Sequence, residues 1–174
     1  VQRGHTLLMD NPLSRLAPQL FGEYPKPFVD LIDNLSLSPD QDIKEVEGLL
    51  WKAYEFGNHY HEGQKRLSGK PYFSHCVAVA NTLASWKMDV TTIIAGLLHD
   101  TVEDTDATLE EVTTAFGDDL GHLVDGLTKI SGIPYSSRKE KQAGNFMKML
   151  LSVAQDLRVV IIKFADRLHN METI

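Results

Sequence analysis

Residues 89–105, "DVTTIIAGLLHDTVEDT", carry most of what the sequence says about its fold. Asp89 is a helix-capping residue, and Ile93, Ile94, Leu97, Leu98 and Val102 recur at the spacing of a helix with one buried face. His99 and Asp100 stand at the end of that apolar stripe, with Glu103 and Asp104 close behind. Carboxylates crowded beside an imidazole in such a place imply either a solvated helix terminus or a bound cation.

The flanking segments keep the helical period. Ser38-Pro39 offers a cap and a first-turn proline for a helix over about residues 39–60, with Ile43, Val46, Leu49, Leu50, Ala53 and Tyr54 on its apolar side. The polar stretch "HEGQKRLSGKPY" is a loop. Pro71 then suits the first turn of a helix that aligns Phe73, Val77, Ala80 and Ala84.

Thr108 and Glu111 form a capping box for a short helix ended by Gly117. Another helix covers about residues 118–129, with a turn at Gly132 and Pro134, and two more helices run from about residue 137 to the end. "LRVVIIKF" has the β-branched residues of a strand, but the Asp156 cap and a period that persists through Ala165 and Leu168 favour helix. Residues 1–38, with four of the seven prolines, read as an arm with at most short helical turns. The expected fold is all-α, a single-domain helical bundle over residues 39–174 that breaks off inside its last helix.

A chain of 174 residues can bury roughly two thirds of its unfolded surface in one core. The single cysteine, Cys76, forms no intrachain disulfide, and no long apolar run or leader appears, so a cytoplasmic protein without membrane contact is expected. With 17 Lys and Arg against 24 Asp and Glu, the net charge of −7 argues against direct nucleic-acid binding. An anionic substrate would need local cations or a metal. Neither an internal repeat nor a glycine-rich phosphate loop is present.

Adjacent residues on a helix project about 100° apart, so His99 and Asp100 can converge on one ion beside it. His75 on the preceding helix and Asp166 in "FADRLHN" are natural additions. Two imidazoles and two carboxylates make a mixed N/O site that favours Mn, Fe or Zn over calcium. His59, His61 and His122 read as surface or structural histidines, and His5 lies in the arm.

Five blocks in order, "HEGQKRLSGKPYFSHC", "AGLLHDTVEDT", "LVDGLTKI", "KQAGNFMKMLL" and "IIKFADRLHNMETI", resemble the hydrolase domain of the RelA/SpoT homologue family, one of the HD-domain metal-dependent phosphohydrolases. The resemblance implies hydrolysis of the 3′-pyrophosphate of (p)ppGpp to GDP or GTP and pyrophosphate, with Mn²⁺ as cofactor. It implies His75, His99, Asp100 and Asp166 as metal ligands and Glu103 with Asp104 as the catalytic acids that activate water. It also implies Arg66, Ser68, Asn170 and Thr173 as substrate-binding residues, and possible synthetase and regulatory domains elsewhere in the full-length protein. Arg167 and His169 read as structural, tying neighbouring helices together.

The chain departs from that pattern in places. Leu67 stands where the family has a lysine, Cys76 where proline is common, and Gly144 and Met147 where glutamate and arginine are common. The expected ligands are spared, while a cation is lost from the phosphate-facing loop. Two alternatives follow: another HD-type nucleotide phosphohydrolase, and a non-catalytic nucleotide-sensing domain.

Overall fold

The computed structural model describes residues 24–131 and 156–173. Helix α1 spans Lys26–Asp33, α2 Ile43–Tyr60, α3 Phe73–Ser85, α4 Val90–Leu97, α5 Thr101–Asp104, α6 Leu109–Phe116, α7 Asp118–Ser131 and α8 Leu157–Glu172. Among the described residues there is no strand, only an isolated bridge between Lys65 and Pro71. The fold is all-α, as the helical period implies. No helix among the described residues is long and apolar enough to cross a membrane.

Several helix ends follow from capping chemistry. Asp89 accepts from the Thr92 amide, Asp156 from the Arg158 amide, and Thr108 and Glu111 close a full capping box. Each satisfies an amide that the first helical turn leaves without a partner. The start of α2 differs from the expected one. Ser38 and Gln41 bond to each other in a separate turn, and Asp42 caps the helix by accepting from the Lys44 amide.

The central layer is α3 against α4, with α8, α7 and α2 packed around it. Gly96 lets the two central helices approach closely, because a Cβ there would collide with Leu83. Phe73, Val77, Ala80 and Ala84 are buried, as are Ile93, Ile94, Leu97 and Leu98.

Three features depart from the sequence reading. Residues 26–33, read as part of an arm with at most short helical turns, form a two-turn helix whose Phe28, Leu31 and Ile32 belong to the core, a burial the sequence reading did not assign. On α2 the buried stripe runs through Val46, Leu50, Ala53, Tyr54 and Gly57, which puts Glu47 inside at 1% exposure and leaves Leu49 out at 38%. The helix read through Val102 is interrupted: α4 ends at Leu97, Leu98 to Asp100 form a turn, and α5 restarts at Thr101. The apolar period crosses the break, so nothing in the pattern marks it. The first of the two helices expected after residue 137, the Gly132 and Pro134 turn, Gly144 and Met147 lie outside the described residues.

Candidate functional site

The turn between α4 and α5 aims His99 inward. Its Nδ1 bonds the carbonyl oxygen of Gly96 at 2.8 Å, so that nitrogen carries the proton and Nε2 presents a lone pair. Nε2 lies 3.0 Å from Oδ2 of Asp100, yet it is fully buried and has no hydrogen bond of acceptable geometry. Two acceptors facing each other at this distance require a proton or a cation between them.

The other two expected ligands close the figure. His75, near the start of α3, places Nε2 3.2 Å from Oδ1 of Asp166 and 3.7 Å from Oδ2 of Asp100, and His99 Nε2 is 3.9 Å from Asp166 Oδ1. All four residues are buried. Donors bonded to one cation at about 2.1 Å stand roughly 3.0–3.5 Å apart, close to these spacings. The residues fit a divalent cation, and the mixed N/O set suits a borderline metal. Cys76 is also close: its sulfur lies within 4.8 Å of ligand atoms of His99 and Asp100. Burial and the neighbouring carboxylates push its thiol well up, so it remains protonated.

Electrostatics within the cluster are mutual. Burial alone would raise Asp100, but the adjacent His99, with Lys163 and Tyr72, outweighs it and holds the carboxyl well below the usual carboxylate range. Burial likewise opposes ionisation of Asp166, and the His75 bond and the His99 and Lys163 charges outweigh it, so it too lies low. For His99 burial pulls down and Asp100 pushes up, and the net result is above the ordinary imidazole value.

Around the cluster lie the residues expected to meet substrate. The segment Gln64–Tyr72 is a small hairpin, with Arg66 N–H bonding Lys70 O and Gly69 N–H bonding Arg66 O, and Gly69 supplies the positive φ of 81° at its tip. Arg66 Nη2 donates to Asn170 Oδ1 at 2.8 Å and to Thr173 Oγ1 at 3.3 Å, and Asn170 Nδ2 donates to Asp166 Oδ1 at 2.6 Å. Three of the four expected substrate residues therefore meet, directly beside the His/Asp cluster. Ser68 sits exposed at the hairpin tip next to a fully exposed Leu67 and shares no side-chain hydrogen bond with that group among the described residues.

Of the expected catalytic acids, Asp104 is fixed and Glu103 is not. The Asp104 amide bonds Asp100 O at 2.8 Å, and its Oδ2 accepts from the Tyr72 hydroxyl at 2.9 Å. Glu103 is exposed and makes no hydrogen bond or ion pair among the described residues.

Two residues here were not read from the sequence as part of the site. The Tyr72 hydroxyl also lies 2.9 Å from Asp100 Oδ2. A signal existed, because Tyr72 precedes His75 by one helical turn and the two rings pack edge to face. His169, read as an interhelical tie, contacts His75 itself, Nδ1 to Nδ1 at 2.7 Å. Arg167, read the same way, is exposed. His61 is structural, 2% exposed, bonded to Gln64 and stacked on Tyr72. A separate cavity of about 440 Å³ opens beside Glu55, His59 and Gln64, and none of the four clustered donors lines it.

A family model described as HD domain matches residues 53–174. The chain is 49% identical over 139 residues to a GTP pyrophosphokinase of Myxococcus xanthus, covering 78% of this chain and 18% of that protein. It is 45% identical over 136 residues to the bifunctional (p)ppGpp synthase/hydrolase SpoT of Escherichia coli strain K12, covering 78% of this chain and 19% of that protein. It thus spans about a fifth of the length of these relatives. Among solved structures, one described as a metazoan ortholog of SpoT that hydrolyzes ppGpp matches with a TM-score of 0.58 and 27% identity, over 79% of this chain and 72% of that one. The chain belongs to the HD domain family, and within it to the RelA/SpoT homologues.

Proposed function

We propose that this domain hydrolyses the 3′-pyrophosphate of (p)ppGpp, releasing pyrophosphate and GDP or GTP, with Mn²⁺ held by His75, His99, Asp100 and Asp166. The observation that carries the reading is the buried, unbonded Nε2 of His99 facing Asp100, closed into a four-donor figure by His75 and Asp166. The names of the relatives and of the structural neighbour supply the substrate class.

When bound, the metal lowers the pKa of a coordinated water and draws charge from a phosphoryl oxygen. The chain's residues do the rest. Arg66 binds the diphosphate by charge-assisted hydrogen bonds, exchanging part of its contact with Asn170 and Thr173, and Ser68 donates a further hydrogen bond. Asp104 orients the attacking water, and Glu103 takes its proton. The water oxygen bonds to the phosphorus on the 3′ oxygen, the P–O3′ bond breaks, and the proton taken up by Glu103 passes to the leaving 3′ oxygen. Atoms balance as nucleotide, water and pyrophosphate alone.

One observation favours a second reading, a nucleotide-binding domain without turnover: Leu67 stands fully exposed at the hairpin tip and offers no charge to a phosphate. Incubation of the purified protein with ppGpp, with and without Mn²⁺, separates the two. Metal-dependent release of pyrophosphate supports the hydrolase. Saturable nucleotide binding with no pyrophosphate released in Mn²⁺ supports the binding domain.

A further inference from the structure

We propose that Tyr72 is a positioning residue of this site, its single phenolic proton tying the proposed ligand Asp100 to the proposed water-orienting Asp104. The inference rests on the metal-centred reading above and deepens it.

The Tyr72 hydroxyl lies 2.9 Å from Oδ2 of Asp100 and 2.9 Å from Oδ2 of Asp104. A hydroxyl has one proton, and an ionised carboxylate only accepts. Without a cation both carboxylates compete for that proton, and the loser faces the phenolic oxygen with uncompensated lone pairs. Were Asp100 to hold the proposed cation, the charge on its carboxylate would be taken up and the Tyr72 proton would be free for Asp104. Filling the site and committing that proton to Asp104 are then one event.

The Tyr72 hydroxyl is held in this arrangement by a stack on its ring and by bonds at the base of the hairpin. The ring stacks on His61 with centroids 5.0 Å apart and planes 16° apart. His61 Nδ1 contacts Gln64 Oε1 at 2.8 Å, and Gln64 Nε2 donates to the backbone oxygen of Asp104 at 2.9 Å. The Tyr72 amide in turn donates to Gln64 O at 2.9 Å. Tyrosine and acidic turn are thus clamped to the same hairpin base by bonds that do not involve the hydroxyl. Tyr72→Phe keeps the stack and the backbone bonds and removes only the hydroxyl with its shared proton.

The test compares Tyr72→Phe, Asp104→Asn and the double variant in the full chain. Mn²⁺ affinity is read by calorimetry, and kcat and KM for ppGpp by pyrophosphate release. Tyr72→Phe is expected to weaken Mn²⁺ about tenfold and to lower kcat by a similar factor with KM held, the usual scale for a group that orients a ligand. In the Asp104→Asn background it is expected to cost no further kcat. Unchanged Mn²⁺ affinity in a Tyr72→Phe protein that melts like the parent would overturn the link to Asp100. Additive kcat losses would overturn the link to Asp104. If the parent releases no pyrophosphate, the calorimetric arm still decides the proposal, and that failure falls on the assigned reaction instead.

Discussion

His75 and His169 meet Nδ1 to Nδ1 across 2.7 Å, so one ring donates and the other accepts. Burial lowers the His169 imidazole, and His75 and Arg66 beside it lower it further. When His75 holds the proposed cation through Nε2, its Nδ1 carries the proton and donates to His169. The same logic fixes His99, whose Nδ1 is committed to Gly96 O. Each imidazole has its tautomer set by a partner outside the donor cluster.

Removing that partner has a defined effect. His169→Ala is expected to weaken Mn²⁺ binding roughly 10- to 100-fold, the scale of losses at groups that orient a metal-bound histidine. Calorimetric titration of parent and variant measures it. Equal affinities would show that His75 needs no outside partner.

Leu67 gives a gain-of-function test. It is fully exposed at the hairpin tip, so Leu67→Lys is expected to leave stability within about 0.5 kcal/mol of the parent. One added cation beside a polyanionic substrate contributes about 0.2–1 kcal/mol when solvent-exposed, so KM for ppGpp should fall up to about fivefold with kcat unchanged. Steady-state kinetics at low salt read the effect.

Gly96 is a packing constraint near the site. A methyl group there meets the fully buried Leu83, an overpacking cost of about 1–3 kcal/mol offset by about 1 kcal/mol of helix propensity. Gly96→Ala should therefore lose up to about 2 kcal/mol in urea denaturation. The Gly96→Ala, Leu83→Val pair should recover part of it, and no recovery would place the cost elsewhere.

Arg158 joins α8 to α7 and gives stability a pH dependence. Its guanidinium donates to both oxygens of Asp119, at 3.1 and 2.8 Å, and to Asp156 at 2.7 Å. These bonds hold both carboxyls below their ordinary values. A carboxyl depressed in the folded state contributes stability that is fully present above its unfolded pKa, near 4, and is lost as pH falls through the folded value. Arg158→Met should cost about 1 kcal/mol at neutral pH, since Asp119 is largely solvent-screened. The gap between parent and variant should be constant above about pH 5 and should narrow below 4. Melting curves across that range check the sign.

Much of the scaffold was legible because it rests on short-range chemistry. The caps at Asp89, Asp156 and Thr108 each need only a side-chain oxygen within three residues of a free amide, and each appears in the structure. What escaped the sequence depends on tertiary context. Asp42 rather than Ser38 caps α2, because Ser38 is used up in a turn with Gln41. Glu47 rather than Leu49 turns inward, because the angle at which α2 meets its neighbours sets the centre of its buried stripe.

At the site, the expected ligands His75, His99, Asp100 and Asp166 come together, as do Arg66, Asn170 and Thr173. The basis for pairing His99 with Asp100 was different from what the structure shows. A continuous helix was expected, and instead the chain breaks at Leu98 to Asp100 while the apolar period runs on. Tyr72 carried too weak a signal, since an aromatic one turn before a histidine is commonplace in a core.

The central claim is that four side chains from three separate segments hold one divalent cation. Anomalous diffraction from crystals soaked in Mn²⁺ tests it most directly. A single strong peak bonded to His75 Nε2, His99 Nε2, Asp100 and Asp166 at about 2.0–2.2 Å is the expected result. A well-ordered site with no anomalous signal between those atoms at millimolar Mn²⁺ would contradict it.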